Sequence, residues 1–199
     1  MGQVFPVRCP WCGDDPLYQD YHDREWGVPL HDDRRLFEML LLESFQAGLS
    51  WLTILRKREN FRAAFDGFDP AKVAAYGSGK IDALMSDAGI VRNRAKIKAV
   101  INNAGVFLDL QKEFGFFDRY LWSFVDHQPV QHAYIELAQI PAEDETSRAV
   151  SKDLKKRGMG FVGPTTMYAL MQSVGMVNDH LTGCFRYGQL TGGQAAAKG

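Results

Sequence analysis

The sequence is poor in the features that would take a chain out of the ordinary globular class. It has three cysteines in 199 residues. An odd number with no even spacing pattern excludes a disulfide framework and fits a reducing compartment. No run of 18 apolar residues occurs, although 46% of the chain is hydrophobic, so no membrane-spanning helix is expected. No charged-then-apolar stretch opens the chain, and a cytoplasmic location is expected on that ground. Charge of neither sign is in excess: 23 basic residues stand against 24 acidic ones, a formal −1. That balance excludes a globally basic surface, so any nucleic-acid contact must be a local patch. Alternating strand patterns and internal repeats are absent. An all-α fold is expected, as one domain or two small lobes sharing a core.

What is present is concentrated at the two ends. Cys9 to Trp26, CPWCGDDPLYQDYHDREW, holds two of the three cysteines and two of the four tryptophans. Pro10, Gly13 and Pro16 interrupt its first half, which should be irregular backbone. Near the other end, Asn178-Asp179-His180-Leu181-Thr182-Gly183-Cys184 sets a histidine and a cysteine four apart. Soft thiolate and imidazole donors in tetrahedral number favour zinc. Spacing leaves two ligand sets open: Cys9, Cys12, His180 and Cys184, or Cys9, His22, His180 and Cys184. Ordinary core thiols beside a surface His22 would give the same letters.

Between the ends the chain reads as helices. Asp32 and Asp33 cap one over 34–46, Gly48 ends it, and Ser50 caps the next towards Phe65. Asp69-Pro70 starts a short helix to Tyr76. Helices over 80–87 and 94–112 form a hairpin, and another spans 116–124. Residues 126–145 read as loop, Thr146 caps a basic helix to Arg157, and Gly163-Pro164 opens the last long helix, to Gly175. The tail over 188–199 is expected to be disordered.

Two places on this framework suggest chemistry. In the hairpin, free amides at the start of the second helix and the cluster Arg92, Arg94, Lys96 and Lys98 suit a phosphate backbone. A solvated αα-hairpin would look the same. Glu43 falls on the apolar stripe of Leu36, Leu40 and Ala47, where a carboxylate is costly unless something meets it. Trp51 follows eight residues later across a turn, and Tyr18, Tyr21 and Trp26 stand in the N-terminal stretch; aromatics around one carboxylate suit a flat polar ring such as a nucleobase. Plain core packing is the competing explanation for those rings.

The runs CPWCGDDPLYQDYHDREWGVP, LESFQAGLSWLTILRKRENFR, DAGIVRNRAKIKAVINNA, LWSFV, LKKRGMGFVGPTT and GMVNDHLTGC resemble the bacterial 3-methyladenine DNA glycosylase I family. The likeness runs in unbroken order over about 9 to 187. It implies an all-α, two-lobed helix-hairpin-helix glycosylase domain over 1–187, with one base pocket between the lobes. It implies a structural zinc on Cys9, His22, His180 and Cys184, which favours the second ligand set over Cys12. It implies a base pocket of Trp11, Tyr18, Tyr21, Trp26, Glu43 and Trp51, and a wedge into DNA at Gly48-Leu49. With Arg92, Arg94 and Lys96 these make up the expected DNA-binding residues. The activity implied is release of 3-methyladenine from alkylated duplex DNA by a monomer, without strand cleavage. Glu43 is the candidate catalytic residue, with its share in chemistry rather than recognition left open. The hairpin AGIVRNR lacks the superfamily's usual glycine pair, and no motif promotes Asp118 or Asp126 to the catalytic aspartate of that superfamily.

Overall fold

Side-chain caps written into the sequence set most of the helix starts in the computed structural model, which describes residues 6–192. A 3-10 turn, Pro10–Cys12, is followed by α1, Pro16–Arg24. The Asp15 carboxylate accepts from the amides of Leu17 and Tyr18, and Pro16 takes the first helical position. The first half of the Cys9–Trp26 stretch is thus irregular, as expected, and the second half is helix. Asp32 caps α2 (Asp33–Gln46), Ser50 caps α3 (Trp51–Ala64), and Asp69 caps α4 (Pro70–Ala74). The hairpin is α5 (Ser78–Ser86) and α6 (Arg94–Phe114), with Asn93 accepting from the Lys96 amide. Then come α7 (Phe117–Trp122), α8 (Glu145–Lys156), α9 (Pro164–Ser173) and α10 (Phe185–Gly192).

Three expectations need correction. The cap of α8 is Asp144 rather than Thr146: its carboxylate accepts from the Ser147 amide while the Ser147 hydroxyl accepts from the Asp144 amide. A parallel ladder joins β1 (Val130–Gln131) to β2 (Val177–Asn178). Two residues per strand are too few for alternation to register in the sequence, and the fold remains mostly helical. The tail is helical at its start, since α10 runs to Gly192, and 193–199 lie outside the described residues.

Helix α2 is the axis of the molecule. Every residue from Leu36 to Phe45 is buried, and α3, α6, α7 and α9 all pack against it. A helix buried all round must satisfy whatever acids it carries. Glu38 is met by Arg58 at 2.6 Å and Arg62 at 2.9 Å. Asp33 accepts from the amides of Phe117 and Asp118 and from Gln111, which fastens α7 to the start of α2. Glu43 has no such arginine.

The N-terminal stretch is held against α9 at a point where backbone meets backbone. The amides of Gly27 and Leu30 donate to Gln172 and Val174, each at 3.0 Å. Gly175 has φ +73, and a Cβ there would come within 2.4 Å of the Val28 carbonyl carbon. Only glycine permits that approach.

Candidate functional site

A cavity of about 330 Å³ opens beside α2 and collects all six residues expected there: Trp11, Tyr18, Tyr21, Trp26, Glu43 and Trp51. The 3-10 turn supplies Trp11, α1 supplies both tyrosines, the segment after it Trp26, α2 Glu43 and α3 Trp51. Trp11 is the hinge of the cluster, edge-on to Tyr18 at 5.0 Å and to Trp26 at 4.9 Å between ring centroids. Tyr21 and Trp51 are 5.5 Å apart and tilted by 50°. Among the described lining residues Glu43 is the only acid and none is lysine; Asp118 and Asp126 lie elsewhere.

Three polar atoms of the lining residues lack protein partners among the described residues. Glu43 Oε2, Trp11 Nε1 and Trp51 Nε1 are buried with no hydrogen bond. Buried polar groups are nearly always paired, so three orphans on residues that line one cavity point to a ligand. Burial raises the Glu43 carboxyl to about 8, opposed only by Ser173 alongside. Burial, with the Glu43 charge second, also holds the Tyr21 phenol well above its ordinary value.

Sequence reasoning missed Gln46, Leu137, Ile140, Ala169 and Gln172, which complete the lining. Gln46 follows Glu43 by three residues, and its helical spacing was a usable signal. The rest come from the irregular 126–145 segment and from α9, where their residue types carry no chemical mark.

A second cluster lies directly behind the aromatic one. Donor atoms of Cys9, His22, His180 and Cys184 all fall within 4.8 Å of one another, and all four residues are buried. The Cys184 sulfur is 3.5 Å from His22 Nε2 and 3.6 Å from His180 Nδ1, and Cys9 Sγ is also 3.6 Å from that Nδ1. Each imidazole has its other nitrogen engaged: His22 Nδ1 with Asp23 at 2.8 Å, His180 Nε2 with the Trp26 carbonyl at 3.0 Å. The Cys9 amide donates to His22 Nε2 at 3.2 Å, which fixes that nitrogen as the one bearing the lone pair. Cys184 faces Cys9 and both imidazoles, and those contacts hold its thiol far below the ordinary range. Cys12 stands outside, donating to the Cys9 carbonyl at 3.2 Å. The rings of Trp11 over His22, at 5.2 Å, and Trp26 over His180, at 4.7 Å, form the wall between the two clusters.

The turn 47–50 connects two lining residues of the cavity, Gln46 and Trp51. Gly48 sits at φ +84, and Leu49 is 41% exposed beyond it. Arg92 and Arg94 are exposed, and Arg94 pairs with Asp82 at 2.8 Å. Lys96 departs from expectation. It is 6% exposed, and its Nζ donates to the carbonyls of Phe45 at 2.8 Å and Ala47 at 2.7 Å. A side chain spent on two backbone carbonyls is not a phosphate contact.

The methyladenine glycosylase family profile matches residues 11–187. The Escherichia coli K12 protein DNA-3-methyladenine glycosylase 1 is 52% identical over 180 residues, covering 90% of this chain and 96% of that one. DNA-3-methyladenine glycosylase of Haemophilus influenzae is 49% identical over 178 residues, covering 89% and 96%. A variant of 3-methyladenine DNA glycosylase I solved in complex with 3-methyladenine superposes with a TM-score of 0.87 at 40% identity, over 89% of this chain and 96% of its own.

Proposed function

The chain belongs to the methyladenine glycosylase family, and from that membership we propose that it excises 3-methyladenine from alkylated duplex DNA. The reaction is hydrolysis of the N-glycosidic bond, which releases the free base and leaves an abasic site for base-excision repair. The observation that carries the reading is Glu43, a buried carboxylate with an unpaired oxygen in an aromatic cavity.

Alkylation at N3 makes the purine cationic, so it departs as a neutral base without first taking a proton. The protein must draw the base from the duplex, hold it, and admit water to the sugar. Glu43 accepts from the donor edge of the base, and as an anion it favours the cation over ordinary adenine. In the empty cavity the carboxyl tends to keep its proton, with a value of about 8; an incoming cation draws that value back down. Tyr21 and Trp51 supply ring faces and Trp26 a wall, adding cation–π attraction. With no lysine among the described lining residues, no Schiff base forms and the strand is not cut. Single-turnover excision by Glu43→Gln that falls further than its affinity for the free base would show that Glu43 also assists the water.

Cys9, His22, His180 and Cys184 suit one zinc ion. The donor set is soft, the atoms converge, and the outward imidazole nitrogens are already bonded. Four protein ligands close the coordination sphere, so the ion would cross-link the chain ends and take no part in hydrolysis.

On the DNA side, Arg92 and Arg94 beside the α5–α6 hairpin suit phosphates, and Leu49 suits the space that a flipped nucleotide leaves. The loop between α8 and α9 is a second place for helix-hairpin-helix contact. Gly163 gives α9 no side-chain cap, so its first amides are freer than those of α6. Incubation with methylated duplex DNA and chromatography of the released bases tests the reading. Free 3-methyladenine with intact strands is expected. No released base, or strand scission coupled to release, would overturn it.

A further inference from the structure

Lys96 is a buried ammonium for which no carboxylate partner occurs among the described ion pairs. It occupies the first turn of α6, where a cation opposes its own helix dipole. The compensation comes from another helix. Its Nζ meets Phe45 O at 2.8 Å and Ala47 O at 2.7 Å, carbonyls at the C-terminal end of α2. There a cation is favoured and the carbonyls would otherwise be unmet. Those two carbonyls bracket Gln46, a lining residue, and come just before Gly48 and Leu49. The same helix also grips the loop before α9. Asn103 Nδ2 donates to Gly160 O at 2.9 Å, the Gly160 amide returns to Asn103 Oδ1 at 2.8 Å, and Asn102 donates to Gly158 O at 2.7 Å. Ser44, next to Glu43, has its hydroxyl 3.5 Å from Phe161 O. Helix α6 therefore holds both the 47–50 turn and the α8–α9 loop, and α2 meets the same loop through Ser44.

We propose that Lys96 is a positioning residue for base extraction, tying the α5–α6 hairpin to the Gly48-Leu49 turn so that DNA docking and wedge insertion occur in one fixed geometry. The role rests on the glycosylase activity proposed above. It acts through Leu49 and not through the bound base, because Lys96 does not line the cavity.

The experiment is single-turnover excision from methylated duplex, alongside binding of free 3-methyladenine, for wild type, Lys96→Met, Leu49→Ala and the double variant. Wild type that releases no base would end the glycosylase reading, and this role with it. Given wild-type activity, Lys96→Met is expected to lower duplex excision about 10- to 100-fold, the cost of a misplaced group remote from the chemistry. Affinity for the free base should stay within about twofold, since the preformed pocket is untouched. Lys96→Arg keeps a cation with several donors and should restore most of the rate. In the Leu49→Ala background Lys96→Met should cost little more, because the element it positions is already gone. Equal losses in free-base binding and excision, or full additivity with Leu49→Ala, would overturn the proposal. If Lys96→Met does not fold, Lys96→Gln in the same two backgrounds decides by the same criterion.

Discussion

Two neighbouring clusters, one of aromatic rings around Glu43 and one of cysteines and histidines, lie back to back across the rings of Trp11 and Trp26, and they treat their polar atoms in opposite ways. In the aromatic cavity Glu43 Oε2, Trp11 Nε1 and Trp51 Nε1 have no partner among the described residues. In the cysteine–histidine cluster the donors face one another and the outer imidazole nitrogens are bonded. The first arrangement weakens the empty protein and waits for a ligand. The second joins residues as far apart as His22 and Cys184, 162 positions in sequence. Substitutions in the two clusters should therefore differ in sign as well as in size.

The largest effect should come from breaking the second cluster. Cys184→Ala, or chelation of bound metal, is expected to lower stability by on the order of 5 kcal/mol, a fall of roughly 10–20 °C in Tm. Thermal denaturation with and without chelator measures it, and the fraction that stays folded should still excise. A stable, inactive Cys184→Ala protein would collapse the distinction between the clusters.

Glu43→Gln should do the reverse. It removes charge-assisted hydrogen bonds worth about 1.5–3 kcal/mol, so affinity for free 3-methyladenine should fall roughly 10- to 150-fold. Tm at neutral pH should hold or rise, since the cost of holding a buried carboxyl in its protonated form above its unfolded value is gone. Calorimetry of binding and of unfolding on one sample reads both. The pH profile sharpens the contrast. Glu43 is raised from 4.5 to about 8 in the folded protein, so its neutral form is the one that burial favours. Its contribution to stability is complete below the unfolded value and is lost as pH rises towards and past 8. Glu43→Gln should flatten that decline. A wild-type Tm that climbs between pH 5 and 8 relative to Glu43→Gln would mean that a cation meets the carboxylate.

Arg92→Ala and Arg94→Ala lie outside both clusters and should touch neither stability nor free-base affinity. Each is expected to weaken all duplexes alike and to lower the salt slope of binding by about one. Unchanged salt dependence would move the phosphate contacts to the α8–α9 loop. The smallest effect belongs to Cys12→Ser. Its sulfur is buried but stands outside the donor set, so stability should change by about 1 kcal/mol and metal content should not change at all.

Much of this was readable before any coordinates. Asp32, Ser50 and Asp69-Pro70 announce helix starts because their side chains can do little else there. Glu43 stood out because its spacing put a charge among leucines. Lys96 was misread for the converse reason: surrounded by Arg92, Arg94 and Lys98, its charge looks solvated, and only its place in the first turn of α6 argues otherwise. Leu137, Ile140 and Ala169 were invisible. They reach the cavity through tertiary packing, which no local periodicity encodes. The β1–β2 ladder was invisible for want of length.

The close approach at Gly175 and the joining of the chain ends have a consequence for synthesis. Trp11, Tyr18, Tyr21 and Trp26 leave the ribosome well before α9, His180 and Cys184. With 162 residues between His22 and Cys184 and elongation at about 5–20 residues per second, the aromatic wall waits roughly 8–30 s for its backing. Ala169 and Gln172 of α9 complete the cavity lining, so a nascent chain that stops short of α9 lacks part of it. The base cavity is thus assembled from segments as far apart in sequence as Trp11 and Gln172, and an amino-terminal fragment that ends before α9 does not hold its full lining.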